Sequence, residues 1–153
     1  MPALPSSVVG IAWFATTPST ATSGTLSASL AGQGYLAANK EDVIFPSIGV
    51  TPAGKVVMAF TLAGPDYHPS AAWAPLSLSA GAGPIYIAAA GVGAGDDFSS
   101  LKAYGGTGSM RWGDYTAAVS DASGNVWMGA EYISGVERTA FANWATRISE
   151  VTP

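Results

Sequence analysis

Residues 115–130 read Tyr-Thr-Ala-Ala-Val-Ser-Asp-Ala-Ser-Gly-Asn-Val-Trp-Met-Gly-Ala, and this stretch decides the fold class. Apolar and small or polar residues alternate on both sides of the Asp-Ala-Ser-Gly segment. This alternation is typical of two β-strands joined by a tight turn. Gly124 stands where such a turn needs a positive φ angle, a conformation that strains other residues. The stretch therefore predicts a β-hairpin.

A second stretch has the same layout. Residues 46–60 read Pro-Ser-Ile-Gly-Val-Thr-Pro-Ala-Gly-Lys-Val-Val-Met-Ala-Phe, with Gly54 at the end of the turn. The two turn glycines are 124 − 54 = 70 residues apart. Repeated four-stranded sheets are typical of β-propellers, because one such sheet cannot bury both of its faces alone. The two hairpins therefore indicate an internal repeat of the propeller kind.

Strand signals recur along the whole chain, whereas helix signals are weak. Short runs rich in Val, Ile, Tyr, Phe or Trp are bounded by Gly, Pro, Ser and Asp. They predict strands near 8–15, 25–36, 46–51, 55–62, 70–78, 84–90, 114–120, 125–132 and 139–149. The predicted fold class is all-β, a partial β-propeller of about two four-stranded antiparallel blades.

All 153 residues are predicted to form a single all-β segment. Its predicted parts are the outer strands of a preceding blade at 1–40, a complete blade at 41–92, a Gly-rich connection at 93–110 and a closing blade at 111–153. A propeller needs at least about four blades to close its ring. We therefore expect completion by further sequence of a longer protein or by a homo-oligomer. A free-standing β-sandwich is the alternative.

Composition excludes several classes of function. The chain has six Lys and Arg against ten Asp and Glu, so it lacks a basic face for nucleic acid or for an anionic membrane surface. No apolar run approaches the roughly 20 residues of a membrane-spanning helix. With no cysteine and His68 as the one histidine, no metal site and no cofactor are predicted. Asp96 and Asp97 are interpreted as a solvated loop rather than as calcium ligands.

The closing segment carries several short motifs that occur together in one group of proteins. They are Arg-Trp-Gly-Asp-Tyr at 111–115, an Asp-x-x-Gly turn before Trp127, Glu-Tyr at 131–132 and Asn-Trp-Ala-Thr-Arg-Ile at 143–148, with looser matches at Gly34-Tyr35, Phe45-Pro-Ser-Ile and Tyr67-His-Pro-Ser. This combination resembles the C-terminal blades of secreted bacterial sialidase-like β-propeller proteins, which are related to BNR or Asp-box repeats. The turn departs from a strict Asp box, because Asp121 lies three residues before Gly124 rather than two.

The resemblance implies an extracellular interaction or carbohydrate-recognition module without catalysis of its own. Half of the sixteen charged residues lie within 111–150, so a ligand site is expected there. A glycan or a protein is the expected partner. The candidate ligand-binding residues are Arg111, Trp112, Asp114, Tyr115, Glu131 and Arg147.

Two other interpretations of these residues stay open. In the first, Arg111–Asp114 and Arg147–Glu131 are ion pairs or hydrogen-bond anchors that hold the closing blade together, a role that suits the planar guanidinium group. In the second, the chain is part of a sialidase-like glycoside hydrolase that is active only in the complete propeller, with a tyrosine nucleophile, a carboxylate and arginines.

Three tryptophans of the closing segment could stack on a sugar ring. They are Trp112, Trp127 and Trp144. Trp127 lies inside an alternating strand, so we expect it in the core.

Overall fold

The computed structural model describes residues 7–96, 112–113, 115–135 and 143–153. These residues are all-β, with ten strands in three antiparallel sheets and no helix. The strands are β1 (Ile11–Thr20), β2 (Leu26–Leu36), β3 (Asp42–Val50), β4 (Val56–Ala63), β5 (Ser70–Ser77), β6 (Gly81–Ala82), β7 (Tyr86–Ala89), β8 (Ala117–Ser120), β9 (Val126–Ile133) and β10 (Trp144–Val151). Within the described ranges, no helix is long and apolar enough to cross a membrane.

The three sheets follow one another along the chain. The first is the hairpin β1–β2, the second has the order β3-β4-β5-β6 with β7 also paired to β5, and the third has the order β10-β9-β8. The middle sheet, predicted as a complete four-stranded blade, has five strands because its outer edge is divided between β6 and β7. Pro84 lies at the division, where its missing N–H group interrupts strand pairing. The described strands do not close into a propeller ring.

The first sheet packs on one face of the middle sheet. Ile11, Trp13 and Leu36 meet a buried row of the middle sheet that includes Met58 and Phe60. Gly34 lies directly against the Trp13 ring, and a Cβ there would come within 2.7 Å of Trp13 Cζ2. Trp13, Met58 and Phe60, among the largest buried side chains of the described residues, lie at this seam, so it contributes substantially to the hydrophobic stabilisation.

The third sheet packs on the opposite face of the middle sheet. Val57 and Ala59 of β4 meet Val126 and Met128 of β9 in a second core cluster. Gly49 of β3 lets the two sheets approach, since a Cβ at this position would lie 2.6 Å from Val126 Cγ1. The chain is therefore a stack of three sheets with the five-stranded sheet in the middle.

Three tight turns share one hydrogen-bond pattern. In each, the first residue donates its N–H to the carbonyl of the fifth, and the fourth residue, a glycine, donates to the carbonyl of the first. The turns span 21–25, 51–55 and 121–125, and their glycines have φ angles of 81°, 77° and 89°. The two hairpin turns predicted from the sequence are confirmed, and the first sheet adds a third turn of the same kind.

Candidate functional site

The closing sheet has one covered face and one uncovered face. The β9–β10 register pairs Glu131 with Thr146 and Ala130 with Arg147. Because side chains alternate between the faces of a strand, Glu131 and Thr146 share the face that points away from the middle sheet. Ala130 lies on the covered face with Val126 and Met128. The face that carries Glu131 is called the outer face below.

A shallow groove of about 280 Å³ lies on the outer face, at the end of the sheet where β9 ends and β10 begins. Its side chains include Tyr115, Glu131, Trp144 and Thr146. Ala117 is paired with Gly129, so continuing this register brings Tyr115 opposite Glu131. Tyr115 is 87% exposed and Trp144 is 43% exposed. A carboxylate thus lies in the middle of the groove, between two uncovered aromatic rings.

The segment before β8 is held close to the groove by two contacts. The indole N–H of Trp112 donates to Thr61 Oγ1 at 3.1 Å, which ties the segment to β4. Gly113 lies so close to the Glu131 carboxylate that a Cβ would overlap it. Trp112 itself does not line the groove. Its indole therefore anchors the chain that leads into Tyr115.

The start of β8 is also fastened to the middle sheet. The Thr116 hydroxyl donates to the Phe45 carbonyl at 2.7 Å. Phe45 has a φ angle of 53° and lies within a β-bulge, where the β3–β4 register shifts between Ile44 and Ser47. A positive φ angle is strained for a bulky residue, so the hydrogen bond from Thr116 helps to hold the bulge. Through this bond, the bulge contributes to the position of Tyr115.

The turn between β8 and β9 is organised by Asp121. Its carboxylate accepts hydrogen bonds from the backbone N–H groups of Ser123 and Asn125, at 2.9 and 3.0 Å. It also accepts the indole N–H of Trp127 at 3.1 Å. The N–H of Asn125 contributes most to lowering the pKa of the Asp121 carboxyl, and the N–H groups of Trp127 and Ser123 lower it further. The Asp121 carboxylate therefore holds the turn together and ties it to the start of β9.

Trp127 is not a core residue, and the prediction that it is buried was wrong. Its side chain is 46% exposed and lies on the outer face, since it is paired with Val119 and Glu150. The alternating pattern of β9 does not say which of its two faces is buried. The face that carries the smaller side chains of Val126 and Met128 packs in the core, and the face that carries Trp127 does not.

Asn143 fixes the chain where β10 begins. Its side chain is fully buried and donates to the carbonyls of Ala94, at 2.8 Å, and Gly135, at 3.2 Å. The side-chain oxygen Oδ1 of Asn143 accepts the backbone N–H of Asp96 at 3.2 Å. One amide therefore joins three chain segments directly beside Trp144. Asn143 is the part of the Asn-Trp motif with a clear structural role.

The predicted site residues divide into three groups. Tyr115 and Glu131 come together in the groove, whereas Trp112 is bonded to Thr61 of β4 and does not line it. Arg147 belongs to the face opposite Glu131, so the predicted Arg147–Glu131 ion pair was wrong. Arg111 and Asp114, with the ion pair predicted between them, lie outside the described residues.

Two groove residues were absent from the predicted set. Trp144 is one of the three tryptophans that could stack on a sugar ring, but it is not among the candidate ligand-binding residues. Thr146 had no signal in the sequence, since only the register brings it beside Glu131.

A larger cavity, of about 850 Å³, had not been predicted at all. Trp73 and Tyr86 stack in it with ring centroids 4.5 Å apart and planes inclined by 21°. The rest of its wall is mostly apolar, and Lys55 is its charged member. Trp73 and Tyr86 are cross-strand partners of β5 and β7, so their contact depends on a register that the sequence does not display.

Within the described residues, no group of three or more His, Asp or Glu side chains is placed to hold a metal ion. Asp96 is buried beside Asn143, and Asp97 lies outside the described ranges. The chain matches no family model, no curated protein and no solved structure.

Proposed function

We propose that this protein is an extracellular carbohydrate-recognition module that binds a glycan in the groove of the closing sheet and does not catalyse a reaction. The observation that carries the proposal is the placement of Glu131 between Tyr115 and Trp144 on one uncovered sheet face. Large aromatic rings are normally buried, and an exposed pair beside a carboxylate has the composition of a sugar site. The extracellular location rests on the resemblance to secreted sialidase-like proteins.

The chemistry of the groove suits a sugar ring. Aromatic side chains offer a broad apolar face together with a polar tip, and the C–H face of a pyranose can stack on such a ring. The Glu131 carboxylate accepts hydrogen bonds from sugar hydroxyls, and hydrogen bonds to an ionised acceptor are stronger than neutral ones. The Thr146 hydroxyl, directly opposite Glu131, can donate as well as accept. An aromatic platform and two polar anchors are thus present in one groove.

The surrounding architecture is proposed to be a segment of a β-propeller. The support is the stack of antiparallel sheets and the recurrence of one turn type at Gly54 and Gly124. In such a segment the groove would lie on a blade face rather than in the centre of a ring. A site of that kind favours binding over enclosed chemistry.

Glycoside hydrolysis is the second candidate function, and one observation favours it. Tyr115 and Glu131 line the same groove, as a tyrosine nucleophile and its carboxylate partner would in a sialidase-like site. Such a site also needs arginines around the sugar carboxylate, and Arg147 belongs to the opposite face of the sheet. Recognition without turnover is therefore the better supported function.

The first experiment is a screen of the full chain against an array of sialylated and neutral oligosaccharides, followed by titration of the best binder. Trp144→Ala is expected to weaken binding roughly tenfold, because losing one stacked ring costs on the order of 1–1.5 kcal/mol. Tyr115→Ala should weaken it similarly, with an unchanged melting temperature because Tyr115 is largely exposed.

Two control variants separate the groove from a general surface effect. Tyr35→Ala removes a tyrosine that is 79% exposed and lies in β2, outside the groove. Arg147→Ala removes a cation from the opposite face of the closing sheet. Both should bind like the unmodified chain. Equal losses in Tyr115→Ala and Tyr35→Ala would refute the groove, and turnover of a fluorogenic sialoside would favour the hydrolase instead.

A further inference from the structure

The larger cavity lies at one end of the middle sheet and is separate from the carbohydrate groove. It is bounded by the turn that leads into β4, by the end of β5 and by the short strands β6 and β7. Among the described residues, none lines both the cavity and the groove. Its volume is about 850 Å³, and pockets that hold small organic molecules measure roughly 300–1,000 Å³. The cavity is therefore large enough for a small ligand, and a ligand there would leave the groove free.

Hydrogen bonds hold the wall of the cavity beyond the end of β5. Ser77 Oγ accepts the backbone N–H groups of Ser79 and Ala80, at 3.3 and 3.2 Å. The N–H of Gly83 donates to the carbonyl of Pro75 at 2.8 Å. The chain therefore folds back along β5 in a fixed shape. A wall that is formed before a ligand arrives lowers the entropic cost of binding.

Trp73 and Tyr86 form an aromatic platform in the cavity. Their rings stack with centroids 4.5 Å apart, and Trp73 also packs against the second core cluster, which holds the pair in place. Tyr86 is 45% exposed and lines the cavity, so part of its ring is available to a ligand. Aromatic rings attract one another in offset-stacked and edge-to-face arrangements beyond the gain from buried area. The platform therefore favours a ligand with a planar aromatic body.

Lys55 gives this apolar cavity a positive charge. Among the described residues that line the cavity there is no Asp or Glu. The backbone of Lys55 is fixed by Thr51, whose Oγ1 accepts the Lys55 N–H at 3.0 Å and whose N–H donates to the Lys55 carbonyl at 2.8 Å. The flexible side chain thus starts from a fixed point, and its ammonium group is a donor only. A cation without a carboxylate beside it in the cavity favours an anionic group on the ligand.

We propose that the cavity binds a small aromatic anion, with its planar body on the Trp73–Tyr86 platform and its single carboxylate or sulfonate group bound to Lys55. The apolar wall removes the body of the ligand from water, and a hydrogen bond between two charged groups is stronger than a neutral one. The proposal uses none of the groove residues, so either site can fail without the other.

The first test titrates the full chain with two fluorescent probes that differ by one charge. Anilinonaphthalene sulfonate has a planar aromatic body with one sulfonate group, and phenylnaphthylamine has the same body without it. Lys55→Met should weaken binding of the sulfonate about fivefold and binding of the neutral probe less than about twofold, because methionine removes the charge and keeps an apolar side chain. Melting temperatures should not change, since Lys55 is exposed.

Two further lysine variants test whether charge in the cavity is the cause. Lys55→Arg keeps the charge and should bind both probes like the unmodified chain. Lys40→Met removes an exposed cation that does not line the cavity, and it should also bind both probes like the unmodified chain.

The second test examines the platform and the class of ligand. Tyr86→Ala should weaken both probes roughly tenfold, whereas Tyr35→Ala, which removes an exposed tyrosine outside the cavity, should weaken neither. Naphthoate should displace the sulfonate probe at a lower concentration than either its neutral amide or dodecanoate. The proposal is overturned if the unmodified chain binds neither probe, if Lys55→Met weakens both probes equally, if Tyr86→Ala binds like Tyr35→Ala, or if dodecanoate or the amide displaces the probe better than naphthoate.

Discussion

Gly49→Ala should destabilise the protein at the seam between the middle and closing sheets. The added Cβ would lie 2.6 Å from Val126 Cγ1 and 3.4 Å from atoms of Ala118, both in the closing sheet. Ordinary contact begins at 3.4 Å, so the sheets must separate by 3.4 − 2.6 = 0.8 Å or Val126 must leave its rotamer. Val126 is fully buried and has little freedom to move. Overpacking of this kind costs about 1–3 kcal/mol.

The measurement is urea unfolding together with thermal melting, followed by circular dichroism. For a chain of this length, each kcal/mol corresponds to roughly 2–4 °C in melting temperature. Val126→Ala removes the clashing methyl group and alone should cost about 2 kcal/mol through the space it leaves. In the double variant the new methyl group fills part of that space. The two changes should therefore cost less together than their sum, by about 1 kcal/mol or more.

Gly54→Ala is the matched control for this cycle. Gly54 has a φ angle of 77° and nothing within 4 Å of a Cβ built on it, so alanine there is destabilising through backbone strain, by about 1–2 kcal/mol. Since it shares no contact with Val126, its cost should add to that of Val126→Ala. If the cost of the double variant differs from the sum of the costs of Gly49→Ala and Val126→Ala by less than about 0.5 kcal/mol, overlap with Val126 does not explain the need for glycine at position 49.

Two further predictions concern polar groups that hold the closing segment. The pKa of Asp121 is lowered in the folded protein, chiefly by the N–H of Asn125. The ionised carboxylate therefore stabilises the fold at a pH above 3.8, its pKa in the unfolded chain. This stabilisation is lost as the pH falls through the lower pKa of the folded protein. Acid melting curves should show this loss in the unmodified chain, and an unchanged dependence in Asp121→Asn would contradict it. Asn143→Asp replaces the donor to the carbonyls of Ala94 and Gly135 by an acceptor and should cost about 3 kcal/mol or more in urea unfolding. Asn39→Asp, at an exposed position, should change the free energy of unfolding by no more than about 0.5 kcal/mol. Similar losses in the two variants would show that the Asn143 hydrogen bonds do not stabilise the fold.

Much of the fold follows from short-range pattern. The alternation on both sides of Gly54 and Gly124 predicts two hairpins, and both turns are present. An alternating strand has the same pattern whichever face it buries, and this is why Trp127 was placed in the core although Val126 and Met128 occupy it. The division of the outer strand at Pro84 could have been read from the sequence, since proline cannot donate to a ladder.

The candidate site shows the same division between local and tertiary information. The sequence by itself determined that the chain is all-β and where two of its tight turns lie, because strand period and turn glycines act over a few residues. It also placed Tyr115 and Glu131 in the charged closing segment. The tertiary structure alone decided that Trp144 and Thr146 join them, that Arg147 belongs to the opposite face, and that Trp73 stacks on Tyr86. Register and sheet stacking join residues far apart in the chain, and a one-residue change of register would reverse every one of these placements.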